Sequence, residues 1–261
     1  MALKGLFKFR EDPGTDSVKP FLDHLEDLRW TLFKMAVTLV SAMMACFAFR
    51  SHLIHVVQAP LHAVDPRAVA SLRTLAVTDS IMISFQLAFY AGLVLSFPLL
   101  LFFLAQFVLP ALTAREQRYV LPAIGIGFGL FLAGVLFCYY VVLPKTLAFF
   151  FLDTLKQGWM PSWTVRDYFS FVTQITITFG IAFELPVAVL VLVYFGIFSV
   201  AFLKRTRAYA IVIVMVFAAI IAPTPDPLTF LSLALPMCLL YEACIWLAVL
   251  VERRRARQES A

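Results

Sequence analysis

Long apolar runs joined by short polar connections set the pattern of this chain. The first run is Leu32 to Phe49, broken only by Lys34, and the second extends from Ile81 to Leu109 without a charge. A third runs from Tyr119 to Leu143 and a fourth from Tyr168 to Phe198, where Glu184 is the one charged residue. A bilayer core of about 30 Å needs about 20 helical residues, with tilt absorbing a longer run. Each of these four therefore predicts a transmembrane helix. Ala208 to Ala222 is short for a span, and only Pro223 to Pro227 separates it from Leu228 to Val251. Prolines so closely set predict a turned tip between two antiparallel helices. The pattern predicts an all-α, polytopic membrane protein with six transmembrane helices in a single domain, 1–261.

Composition agrees, with 62% hydrophobic and 14% charged residues against about 45–50% and 25% in soluble domains. That excludes a large soluble domain. The polar first thirty residues lack a signal-peptide core, so no cleavage is expected. Lys and Arg flanking spans resist translocation. Residues 1–34, the connections near 110–118 and 199–207, and the tail together hold fifteen of them; connections 50–78, 144–167 and 223–227 hold six. Both termini are expected in the cytoplasm, with 1–30 an amphipathic lead-in and 252–261 a basic tail.

The outer connections are the longer ones, and 50–78 opens with an amphipathic stretch from His52 to Val57 followed by Ala59-Pro60-Leu61. Short interfacial helices are expected there. His52 and His55 lack an evident third ligand, and Cys46, Cys138, Cys238 and Cys244 fall in apolar runs without C-x-x-C spacing. Neither metal binding nor a disulfide framework is supported; the cysteines read as small core hydrophobes, and no cofactor is expected.

Glu184 lies about halfway along the fourth run, where a charge costs roughly 2.5–3.5 kcal/mol on insertion scales. Thr173, Thr176, Gly180 and Glu184 share one helical stripe, beside a second row of Ser170, Gln174 and Thr178. Pro186 removes a backbone hydrogen bond and should kink the helix, opening a groove for water or a partner helix. A carboxyl satisfied inside the bundle and a functional polar site both fit. Glu242 poses the same question nearer the cytoplasmic end, without a polar stripe. Before the first span, Leu22, Leu25, Leu28 and Leu32 form one face, opposite Glu26 and Asp27. The first inner connection adds Glu116 beside Arg115 and Arg118. Such acids are either a solvated cluster or a receptor for an arginine-containing ligand, because the guanidinium fork matches carboxylates.

Several motifs together carry a resemblance. They are His24-Leu25-Glu26-Asp27-Leu28-Arg29; Ser96-Phe97-Pro98 through Gln106-Phe107; and Leu109-Pro110-Ala111-Leu112-Thr113 with Glu116-Gln117-Arg118. Phe183-Glu184-Leu185-Pro186, Pro223-Thr224-Pro225-Asp226-Pro227, and Leu235-Pro236 with Tyr241-Glu242 follow in order. The chain resembles TatC, the multispanning receptor of the twin-arginine translocase, through all six spans. That resemblance implies a cup-like bundle in the bacterial cytoplasmic membrane that binds twin-arginine signal peptides of folded cargo. TatA-like and TatB-like single-span partners and the proton-motive force would serve transport. It places Asp27 and Glu116 at the signal-arginine site, with Glu26 sharing the role because Asp27 is a methylene shorter than the family's usual Glu. Arg29 belongs to the same motif and Phe107 lies beside the site. Thr31 stands where a second basic residue is often found. Glu184, with Thr173, Thr176 and Gln174 on its helix, would form the intramembrane polar face; Pro60 and Asp226 match outer-loop positions.

Two other classes remain to be weighed. A proton-coupled transporter would also need a membrane carboxyl but would normally show repeats and discontinuous helix pairs, which are not evident. An enzyme would need a nucleophile or metal set within the spans; H-E-x-x-H, G-x-S-x-G and paired intramembrane aspartates are absent and all four histidines lie outside the runs. No catalysis and no nucleic-acid partner are expected. A lone six-helix bundle is too thin to enclose a folded domain, so export would require self-association or a partner ring.

Overall fold

The structure is a computed structural model that describes residues 21–108, 120–194, 199–221 and 227–259. Its helices are α1 (Phe21–Ala48), α2 (Arg50–Val64), α3 (Asp79–Val108), α4 (Val120–Phe137), α5 (Leu143–Lys156), α6 (Val165–Ala182), α7 (Leu185–Tyr194), α8 (Val200–Arg205), α9 (Arg207–Ile221) and α10 (Pro227–Glu259). Among the described residues there is no strand, only a single parallel bridge between Arg73 and Thr164. The fold is all-α, as the apolar runs predict. Five helical segments are long and apolar enough to cross a membrane: Leu25–Ala48, Asp79–Val108, Val120–Lys156, Val165–Val193 and Phe230–Leu250. Arg207–Ile220 is apolar but shorter.

Two elements depart from the sequence expectation. Residues 21–30 of the amphipathic lead-in form the first turns of α1, while 1–20 lie outside the described residues. The third span does not stop at Leu143: a π-turn at Cys138–Val142 joins α4 to α5 without a gap. Pro144 sits in the first turn of α5, directly after the Leu143 N–H to Cys138 carbonyl bond of the π-turn, so its missing N–H falls where the helical register changes. The fourth run divides where Pro186 predicts it, with Phe183 and Glu184 between α6 and α7. Helix resumes at once, since Ala188 N–H donates to the Glu184 carbonyl at 3.0 Å.

Glycines set the closest approaches. A Cβ on Gly92 of α3 would lie 2.7 Å from the Met43 nitrogen of α1, and Phe47 stacks on Phe85 at 5.0 Å. Those two contacts fix α1 and α3 as antiparallel neighbours. A Cβ on Gly134 of α4 would lie 2.6 Å from the Phe179 carbonyl oxygen of α6, and one on Gly180 would lie 2.7 Å from the Phe131 ring. Phe131 in turn stacks on Phe97 of α3 at 3.6 Å. These contacts make α3, α4 and α6 one tightly seamed layer.

α2 closes one end of this layer. Pro60 lies inside it, buried, and lacks the N–H that would bond the Val56 carbonyl. The Tyr139 hydroxyl from the π-turn donates to that carbonyl at 2.7 Å, and the Tyr168 hydroxyl from α6 donates to Val57 at 2.7 Å. The core there gathers Leu61, Leu143, Leu147, Phe169 and Val172. At the opposite end α8 packs on α10 through Val200, Leu203, Ile245 and Ala248. Arg207 and Glu242 form an ion pair at 3.0 Å, and the Tyr241 hydroxyl donates to the Leu203 carbonyl at 3.1 Å. Glu242 is thus a partner of the basic α8–α9 corner.

Candidate functional site

The seam of α3, α4 and α6 carries polar groups at two levels. Nearer the α2 end, Gln86 of α3 donates from Nε2 to Thr173 Oγ1 at 2.9 Å and shares 3.3 Å contacts with Ser170. Thr173 is buried and passes its own hydrogen to the Phe169 carbonyl at 2.7 Å. Thr176 donates to Val172 at 2.6 Å. Both threonines also line a recess of about 160 Å³ with Leu53, Val57, Tyr90 and Tyr139, which is almost wholly apolar. Gln174 points to the exposed side of the same helix. Gln86, the polar interruption in the second apolar run, is a member that the stripe on the fourth run did not reveal.

The second level holds Glu184. A Cβ on Gly127 of α4 would lie 3.1 Å from Glu184 Oε2 and 3.2 Å from Leu101 of α3. The bare glycine is what leaves room for the carboxyl. Glu184 as a whole is half-buried, yet its Oε1 is enclosed and has no hydrogen-bond partner among the described residues. An enclosed acceptor without a donor costs about 1–3 kcal/mol. A donor brought against this oxygen, from water or from another side chain, would satisfy it.

The acids near the first span are placed by register. Counting equally along α1 and α3 from the Met43–Gly92 contact brings Asp27 to the depth of Val108, next to Phe107. Glu26 and Arg29 are exposed, Asp27 and Phe107 half-buried. Pro60 lies far from them, on α2 at the other end. Glu116 and Asp226, the remaining site residues expected from the sequence, lie outside the described residues.

Long apolar helices packed around the Glu184 carboxyl define a multi-pass α-helical membrane protein. The family model for the Sec-independent protein translocase protein (TatC) matches residues 23–236. A TatC of Akkermansia muciniphila is 47% identical over 186 residues, covering 70% of this chain and 53% of that protein; the chain thus spans about half the length of that relative. One from Campylobacter jejuni is 33% identical across 84% of this chain and 89% of its own length. A crystal structure described as the twin-arginine translocase receptor TatC superposes with a TM-score of 0.78 at 33% identity, covering 87% of this chain and 98% of that one. The chain belongs to the TatC family, whose members are protein-transport components and not enzymes.

Proposed function

We propose that this chain is the signal-recognition subunit of a twin-arginine translocase in the bacterial cytoplasmic membrane. It crosses six times, α9 being the short fifth span, with both termini in the cytoplasm and α2 at the outer face. The two arginines of a signal peptide dock against Asp27 and Glu116, with Glu26 and Arg29 beside them and Phe107 at the rim. The signal's apolar segment then follows the seam toward Glu184. Attraction fixes register, and apolar burial supplies hold. Glu184 receives a polar side chain from a TatA-like or TatB-like span, with Thr173 and Thr176 one level nearer α2 and Gln174 on the exposed side of α6 completing the polar set. Pro60 and Asp226 act at the outer face. Folded cargo passes through an assembly of several copies and partners, driven by the proton-motive force.

The observation that supports this reading best is the α1–α3 register, which puts Asp27 level with the end of α3 that feeds the Glu116 connection. Charge-assisted pairs contribute about 1.5–3 kcal/mol each, so one substitution should weaken capture strongly and two should abolish it. The test is photo-crosslinking of a twin-arginine precursor to Asp27→Ala, Glu116→Ala and the double variant in membranes. Loss graded from single to double is expected; undiminished crosslinking in the double variant refutes the site.

A further inference from the structure

Exposed apolar side chains are expected where spans face lipid, but one set continues past the middle of the membrane. The outward stripe runs through Ile126 and Leu136 on α4 and Tyr140 in the π-turn. The π-turn adds a residue to the following turn, and the stripe resumes on α5 at Phe149, Leu152 and Leu155. It ends in the turn after α5, where Gly158 has φ 79 and Trp159 and Met160 are 64% and 92% exposed. Lys145 and Lys156 are exposed on the same helix.

Packing sets the depth of this set. Taken straight along the membrane normal, the 29 residues Val165–Val193 would extend about 43 Å, matching the 40–45 Å of a bilayer with its headgroups and setting Val165 at the headgroup border. The Phe150 ring meets Phe171 at 6.0 Å and the Phe151 ring meets Trp163 at 6.3 Å. Phe171 lies about 9 Å along the helix inside Val165. The Phe149–Leu152 turn therefore lies level with the boundary between acyl chains and headgroups. The loop tip is tied to the same level, because Arg73 N–H donates to the Trp163 carbonyl at 3.1 Å and Val165 N–H to Arg73 at 2.9 Å.

We propose that α5 and the turn behind it anchor the protein in the leaflet at the α2 end. Phe149, Leu152, Leu155, Trp159 and Met160 enter the acyl–headgroup boundary, and Lys145 and Lys156 meet the phosphates of anionic phospholipid. The surface is continuous with the lipid-facing stripe of α4, and tryptophan favours this depth. Basic side chains flanking an apolar face are what an interfacial helix presents to such a leaflet.

The test uses the full chain alone in nanodiscs of phosphatidylglycerol and phosphatidylethanolamine. A diazirine amino acid replaces Met160, and irradiated protein is weighed. Phospholipid adducts are expected; water adducts alone overturn the anchor. In parallel, Trp30, Trp163 and Trp246 are changed to Phe so that Trp159 reports by itself. Blue-shifted emission quenched several-fold better by lipids brominated near the headgroup than by iodide is expected, and the reverse order overturns it. Lys145→Gln with Lys156→Gln should remove the dependence of quenching on phosphatidylglycerol while leaving that in neutral lipid.

Discussion

Among the described residues no donor reaches Glu184 Oε1 between α4 and α6–α7, a cost that the proposed partner contact would relieve. Glu184→Leu removes that cost. Its melting temperature in detergent should equal or exceed that of the parent, while export of a twin-arginine reporter falls to background. A variant that exports normally would remove the proposed partner contact. Gly134→Ala should behave oppositely, because its Cβ would meet the Phe179 carbonyl and the Phe183 ring. Overpacking of this kind costs about 1–3 kcal/mol, and thermal unfolding should show the drop whether or not a partner is present. The lone charge of Glu184 in an apolar run made it visible in the sequence. Gly127, which makes room for it, was not visible, since a glycine reveals nothing about what faces it across a helix pair.

At the level of elements, α2 is held where its own hydrogen bonding fails. Pro60 leaves the Val56 carbonyl without its helical donor, and Tyr139 supplies one from 83 positions away. Tyr139→Phe should lower stability by about 1 kcal/mol. In a Pro60→Ala background, where residue 60 regains an N–H, the same change should cost markedly less. A double-mutant cycle by denaturant or thermal melts in detergent measures that coupling, and additive effects would contradict it. The spans were legible because hydropathy is a local property, summed over twenty neighbouring residues. The helix break at Glu184 was legible for the same reason, through Pro186. The continuation of the third span through Pro144 was not, because a proline opening a helical turn and a proline ending a helix look alike. Nor were Tyr139, Tyr168 and Gln86, whose partners lie far off in sequence and become neighbours only after packing.

For the whole molecule, the proposed site divides into a charged mouth and an apolar run. Capture of a twin-arginine precursor should weaken between 0.1 M and 1 M salt, as the Debye length falls from about 10 Å to 3 Å. A signal with both arginines changed to lysine should bind more weakly at every salt concentration, since Lys lacks the bidentate fork. Equilibrium binding to the purified chain in nanodiscs reads both, and salt-independent binding would place the arginines elsewhere. At this scale the proposed pairing of Asp27 with Glu116, which itself lies outside the described residues, is supported by the α1–α3 register.

That contact has a mechanical meaning. Among the described residues α1 packs extensively on α3 and on no other helix, and the Met43 backbone rests directly on Gly92. With no side chain between them to flex, α1 and α3 form one closely paired unit, which Phe97 joins to α4 by stacking on Phe131. On the proposed function, a load at the lead-in would pass along this close pair toward the opposite end of α1, where the corner into α2 begins.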